Sequence, residues 1–330
     1  MARPHERKDG GASTAVCGSV FFDSDEPSFL PDWGTPGHDG EFVAHYPTDA
    51  TRDVIPIPCH SHNDYWRRIP LFEALHYGCT GVEADVWLKH DELYVGHSTE
   101  SLTRNRTFRA LYVNPLMDLL AKQNPSTEFA NATGHGVFDE VPDQTLVLLV
   151  DFKTDGAETW PVVVEQLAPL RNSGYLSSWN GSVTTYRAVT VVATGNTPFD
   201  LVIANSTYRD VFFDAPLDDI GSSAQADNAA RPTLFDKSNS YYASVSLRKA
   251  IGDVRHGHFT APQLETIRMQ IRAAKELGLK SRYWETPAWP VSLRNHVWRT
   301  LVDESIDVLN VDDLRAAAKV DWSKHEHGIV

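Results

Sequence analysis

From Ile55 onward the chain alternates short apolar or β-branched runs with longer segments of helical period, and this alternation constrains the fold more than any other feature. The runs span 55–60, 80–88, 145–153, 188–194, 210–216, 241–247, 281–287 and 307–312. Helical patterns occupy 70–78, 115–123, 158–172, 261–280 and 293–304, with Gly78 and Gly278 where helix C-caps belong. Near-continuous apolar strands separated by helices imply a parallel sheet covered by those helices. Eight such units predict an α/β fold, a (β/α)₈ barrel, rather than an open doubly wound sheet. No GxGxxG follows any strand, which removes the main mark of a dinucleotide fold. The barrel is expected over 51–320, after an irregular N-terminal arm (1–50) rich in Gly, Pro, Asp and Ser, and before a tail at 321–330. Segments 124–142 and 217–240 show no regular period and read as long loops.

Composition narrows the function class. The 44 acidic and 30 basic residues give a formal charge of −14, which excludes a nucleic-acid wrapper or a polybasic membrane-surface module. No stretch reaches the roughly 20 apolar residues of a membrane span, and the N-terminus lacks the apolar core of a signal peptide. The three cysteines, Cys17, Cys59 and Cys79, have no zinc-type spacing, and no disulfide framework is expected from them. Asn105, Asn131, Asn180 and Asn205 each begin an N-x-Ser/Thr sequon, which leaves a secretory route open. Compartment and oligomeric state are not specified by these features.

Chemistry concentrates at the ends of the early strands. The first run stops at His60 and His62, followed by Asn63 and Asp64; the second carries Glu83 and Asp85; the third carries Asp151 and Lys153. Residues two apart on a strand share a face, so each pair looks one way while its apolar neighbours look the other. In a barrel these pairs converge at the mouth, where active sites form. Three carboxylates gathered in a partly dry site must take up protons or hold a cation, since two like charges ~4 Å apart cost about 4 kcal/mol at an effective dielectric near 20. Oxygen ligands without cysteine suit one hard divalent ion, Mg²⁺ first and Ca²⁺ as the alternative, held by Glu83, Asp85 and Asp151. Buried ion pairs with Lys153 are the competing structural reading. After Asp85, a turn at His90-Asp91-Glu92 returns the chain to His97, so His62 and His97 can flank a substrate as base and acid.

The stretch HSHNDYWRRIPLFEALHYGCTGVEADVWLKHDELYVGH (60–97) resembles the catalytic half of the phospholipase C-like phosphodiesterase superfamily, which includes glycerophosphodiesterases, phosphatidylinositol-specific phospholipase C and sphingomyelinase D-type phospholipases. HNDYWR, FFDAPL and NSYYASVS further resemble the fungal altered inheritance of mitochondria protein 6 family. The resemblance covers roughly 50–320 and implies a PLC-like barrel whose motif maps onto His62, Glu83, Asp85, His97 and Asp151. It further implies substrate contacts at Lys153, Asn63 and Trp284, and a phosphodiester or phospholipid substrate. His-Asn-Asp stands where glycerophosphodiesterases carry His-Arg-Gly, and Glu-x-Asp points to the metal-dependent branch. Several of the nine tryptophans, among them Trp66, Trp87, Trp160 and Trp298, read as core or rim packing.

Two other function classes compete. His60-Ser61-His62 also resembles the HxH metal pair of amidohydrolases and PHP-type phosphoesterases, although later strand ends offer no further histidines. A non-catalytic lipid- or phosphate-binding barrel would be expected to have lost some of the five motif residues, and all five are present.

Overall fold

Strand parity decides how the chain closes. On β2 (Cys79–Lys89), Val82, Ala84 and Val86 point outward into a core shared with the helices, so Glu83 and Asp85 point inward. On β4 (Leu146–Phe152), Leu146, Leu148 and Val150 join the same outer core, while Val147 and Leu149 pack inside with Val192, Tyr242 and Val308. An outer apolar layer under the helices and an inner layer of side chains facing the axis are what a closed barrel wrapped by helices requires.

The computed structural model describes residues 37, 38, 41, 51–129, 134–225, 234–254 and 257–323. The unit from Pro47 onward contains a closed, eight-stranded parallel barrel. Its strands are β1 (Ile57–Ser61), β2, β4, β7 (Val189–Gly195), β8 (Val211–Pro216), β9 (Ser240–Ser246), β10 (Lys280–Trp284) and β11 (Val308–Val311). β1 pairs with both β2 and β11, which completes the circle. β3 (Glu92–Val95) folds back antiparallel on β2, and β5 (Ser178–Trp179) with β6 (Thr184–Thr185) forms a small separate ribbon. All eight expected strands form, the largest boundary change being the early end of β10 at Trp284.

The five expected helices also form, the third of them as Gly156–Gln166 followed by Ala168–Asn172. The helix Ala261–Glu276 begins with a Thr260/Gln263 capping box. Gly78 and Gly278 adopt φ of 79° and 72° after their helices, the left-handed conformation glycine accepts at low cost. No helix among the described residues is long and apolar enough to cross a membrane.

Two expectations are corrected. Segment 217–240 is not irregular throughout: Leu217–Gln225 is a helix, with Leu217 and Ile220 buried and Gly221 against the Gln270 side chain of Ala261–Glu276. Its apolar face is short and interrupted by Asp, Gly and Ser, so the period is hard to see in sequence. Residues 226–233 lie outside the described residues. Segment 124–142 has neither helix nor strand among its described residues. Most of the expected arm (1–50), Cys17, and residues 324–330 of the expected tail also lie outside them.

The second correction is a disulfide between Cys59 and Cys79, both fully buried. β1 and β2 run side by side with Ile57 opposite Cys79, which brings the two cysteines to a Cα separation of 4.7 Å. Pairing of strands 20 residues apart, which cysteine spacing does not reveal, created the bond. Closing a loop of that length stabilises a chain by about 3 kcal/mol. Cys59→Ala combined with Cys79→Ala should therefore lower unfolding free energy in urea by about 3 kcal/mol, with the barrel's circular dichroism retained.

Candidate active site at the barrel mouth

Asp85 and Asp151 sit opposite each other in the β2–β4 register, and Glu83 lies one inward position deeper. One ligand atom from each of the three carboxylates lies within 4.8 Å of the others. Glu83 and Asp85 are buried, and Glu83 Oε2 and Asp85 Oδ1 have no hydrogen-bond partner. Lys153 Nζ lies 2.6 Å from Asp151 Oδ2 and 3.1 Å from Asp85 Oδ2. The ammonium thus offsets one charge, leaving two when all three acids are ionised. Burial, followed by the Glu83 charge, pushes the Asp85 carboxyl up to about 7. Unpartnered buried oxygens and excess negative charge fit a hard divalent cation, because oxygen donors are its preferred ligands.

Gly195 shows how tightly this group is packed. It has φ of 68°, and a Cβ there would collide with Asp151 Oδ1 and the Phe152 carbonyl. Beneath the acids the barrel interior remains polar. His60 is fully buried, with Nδ1 3.3 Å from the Tyr242 hydroxyl and Nε2 3.8 Å from Glu83. Burial drives its pKa well below the ordinary value, so His60 is a neutral interior group. Arg282 donates to Asn310 Oδ1 (2.9 Å) and Ser244 Oγ (3.1 Å) and approaches Asp214 to 3.8 Å. Among the described residues the carboxylate trio is the only group of three or more His, Cys, Asp or Glu side chains placed to hold a metal, and neither His60 nor His62 belongs to such a group.

The two predicted histidines reach the mouth by different routes. His62 follows β1, its backbone N–H bonded to the Val311 carbonyl and its Nδ1 2.8 Å from Asp312 Oδ1. Burial acts to lower its pKa, but the Asp312 hydrogen bond and the charges of Glu83 and Asp312 raise it overall. Arg67 straps this loop to β11, donating to the carbonyls of His62 and Asp312. His97 arrives through the β2–β3 hairpin, fixed by Gly96 N–H to the Asp85 carbonyl and by Trp87 Nε1–H to the Gly96 carbonyl. Its Nδ1 lies 3.3 Å from the Tyr65 hydroxyl and 3.9 Å from Asp85 Oδ2, and its side chain is 56% exposed.

Tyr65 ties these parts together. Its hydroxyl lies 2.6 Å from Asn63 Oδ1 and 2.7 Å from Asp85 Oδ2, and its single proton serves one acceptor at a time. Asn63, at φ 48°, is thereby placed beside the acid group. Trp66 packs its ring 4.8 Å from the His97 ring and is more than half exposed, so it is a rim residue. Trp284, at the end of β10, lines a cavity of about 410 Å³ with Phe199, Phe213, Phe235, Asp214 and Gly195. Through Gly195 that cavity adjoins Asp151.

Tyr65 and Asp312 are contributions the sequence reading missed. Asp312 had a signal: Asn310 and Asp312 repeat the i, i+2 polar spacing at the end of the last strand. Tyr65 carried none.

A family model described as the AIM6-like phosphodiesterase domain matches residues 48–214. Relatives named altered inheritance of mitochondria protein 6 include an Arthroderma benhamiae homolog, 45% identical and aligned over 83% of this chain and 87% of its own length. The Eremothecium gossypii protein is 35% identical over 82% of this chain and 71% of its own length. The Saccharomyces cerevisiae protein is 34% identical over 82% and 72%. The chain belongs to the altered inheritance of mitochondria protein 6 family. As described, the family's domain points to phosphodiesterase-type chemistry, and the matched region contains His62, Asn63, Glu83, Asp85, His97, Asp151 and Lys153.

In this family member the loop carrying His62 is organised by Asp64, which accepts hydrogen bonds from Leu71 N–H (2.6 Å), Ser61 Oγ (2.7 Å) and Tyr112 OH (3.1 Å). Burial nevertheless pushes its carboxyl up to about 6. A folded-state pKa above the unfolded value means that the folded chain holds the proton longer, so this contribution is full below pH ~4 and lost as pH rises through ~6. The difference in unfolding free energy between wild type and Asp64→Asn should change by about 3 kcal/mol across that window, falling on the wild-type side as pH rises. Urea titrations at several pH values measure it.

Proposed function

We propose that this protein is a metal-dependent phosphodiester hydrolase, with one divalent cation, Mg²⁺ first and Ca²⁺ as the alternative, bound by Glu83, Asp85 and Asp151. The observation that carries the reading is the buried carboxylate trio at the barrel mouth, with unpartnered oxygens on Glu83 and Asp85. Once bound, the cation supplies positive charge to a non-bridging phosphate oxygen. Lys153, already shared between Asp85 and Asp151, adds a second positive contact on that side.

His62 serves as base. Asp312 holds the proton on Nδ1, which leaves Nε2 to accept one from the attacking water or substrate hydroxyl. The oxygen so activated forms a bond to phosphorus as the bond to the leaving oxygen breaks. His97 gives that oxygen a proton, and the Tyr65 hydroxyl and Trp66 ring orient the imidazole. Water yields a phosphomonoester and an alcohol; a substrate hydroxyl yields a cyclic phosphate and an alcohol. The aromatic wall formed by Phe199, Phe213 and Phe235 near Trp284 supports a substrate with an apolar arm, as a phospholipid has, over a bare glycerophosphodiester.

Turnover of bis(p-nitrophenyl) phosphate should vanish with EDTA and return with Mg²⁺. His97→Ala should lose on the order of 100-fold or more in kcat while calorimetry shows unchanged Mg²⁺ binding; near-wild-type turnover by His97→Ala would remove that histidine from the reaction. Asp312→Asn should lower kcat and move the acidic limb of the pH–rate profile to lower pH, because the carboxylate that raises His62 is gone. An unmoved limb would separate His62 from the base role.

A further inference from the structure

Two of the four sequons share one place in the fold. Asn180 follows the β5 strand and precedes β7; Asn205 precedes β8. Trp179 and Arg209 exchange backbone hydrogen bonds of 2.8 and 3.0 Å, and Gly181 stands against Thr207. Both asparagines are exposed at the end of the barrel where strands begin, opposite the mouth where Asp85 and Asp151 lie. In each, the carboxamide oxygen accepts from the hydroxyl two residues on, Ser182 Oγ at 3.1 Å and Thr207 Oγ1 at 3.0 Å, and from nearby backbone N–H groups. The amide nitrogens face no such partner in these bonds. The chain therefore tolerates a bulky group at either position without disturbing core or mouth.

The disulfide is an independent sign of the same compartment. A structural bond between fully buried cysteines persists in oxidising compartments and is rare where thiols are kept reduced. Exposed sequons alone occur by chance; exposed sequons in a chain that carries such a bond are a different matter.

We propose that this protein matures in an oxidising secretory compartment and carries N-linked glycans on Asn180 and Asn205. The donor class is a lipid-diphosphate-linked oligosaccharide. A bond forms between the asparagine Nδ2 and the anomeric carbon, the bond from that carbon to the diphosphate oxygen breaks, and the amide gives up one proton as the lipid diphosphate leaves. Because both positions lie away from the mouth, the modification is compatible with the hydrolase reading and does not depend on it.

The test uses the full chain isolated from the cells that make it. Enzymatic deglycosylation in ¹⁸O-water, followed by peptide mass mapping, should give ¹⁸O-labelled aspartate at positions 180 and 205. Without reductant, Cys59 and Cys79 should resist alkylation and appear as one linked peptide. Thr207→Val should abolish labelling at 205 alone, and Ser182→Ala at 180 alone, each with one step of increased gel mobility. Asn205→Gln and Asn180→Gln should reproduce those steps if the hydroxyl variants fold poorly. Unmodified asparagine at both positions would overturn the proposal, whatever the state of the cysteines, and freely alkylated Cys59 and Cys79 would overturn its compartment.

Discussion

The mouth of this barrel is organised by repulsion. Glu83, Asp85 and Asp151 project from adjacent strands into one partly dry space, where like charges ~4 Å apart cost about 4 kcal/mol at an effective dielectric near 20. Strand parity leaves no way to relieve this locally. Turning β2 by one residue would send Glu83 and Asp85 into the helical layer and Val82, Ala84 and Val86 into the site. The fold therefore keeps the crowding and offsets it with Lys153, a raised pKa on Asp85 and a hydroxyl from Tyr65. A fixed concentration of negative oxygen is what a cation-dependent phosphodiesterase would need before substrate arrives, since ligands held in place by packing need no reorganisation.

The two ends of the barrel are built on different principles. At the start of the strands, stability dominates: the buried disulfide joins β1 to β2, and the β5–β6 ribbon precedes β7. At the other end, the turn after β1 carries Tyr65 and Trp66, the segment after β3 carries His97, and β10 ends in Trp284. Between these ends, Arg282, Asp214, Asn310, Ser244 and His60 form a polar band inside the barrel. Each unpaired member of such a band is costly. The Arg282 bonds to Ser244 and Asn310 tie β10 to β9 and β11 inside the barrel.

Much of this was legible in the sequence because two periods coincide. Alternation along strands and the spacing of helices located all eight strands, and the i, i+2 polar pairs placed His62, Glu83, Asp85, Asp151 and Lys153 at the mouth. What escaped depended on pairs distant in sequence. The Cys59–Cys79 bond required knowing that β1 and β2 are neighbours in a specific register. Tyr65 reaches Asp85 across 20 residues from a 3₁₀ turn with no strand or helix pattern of its own. Asp312 lies 250 residues from His62 and meets it only because the barrel closes β11 onto β1.

That closure also separates the roles proposed for the two histidines. His62 stands where the first and last strands meet, its Nδ1 committed to a carboxylate and its backbone bonded to β11, so it has one free nitrogen and little freedom to turn. His97 sits on a hairpin outside the ring of strands, more than half exposed, between an aromatic rim and the acids. A group that must take a proton from a nucleophile needs fixed direction and a partner for the charge it acquires. One that must protonate a departing oxygen needs access to the side from which the product leaves. Imidazole is chemically the same at both positions; the barrel's closure at one and the hairpin's exposure at the other make them unequal.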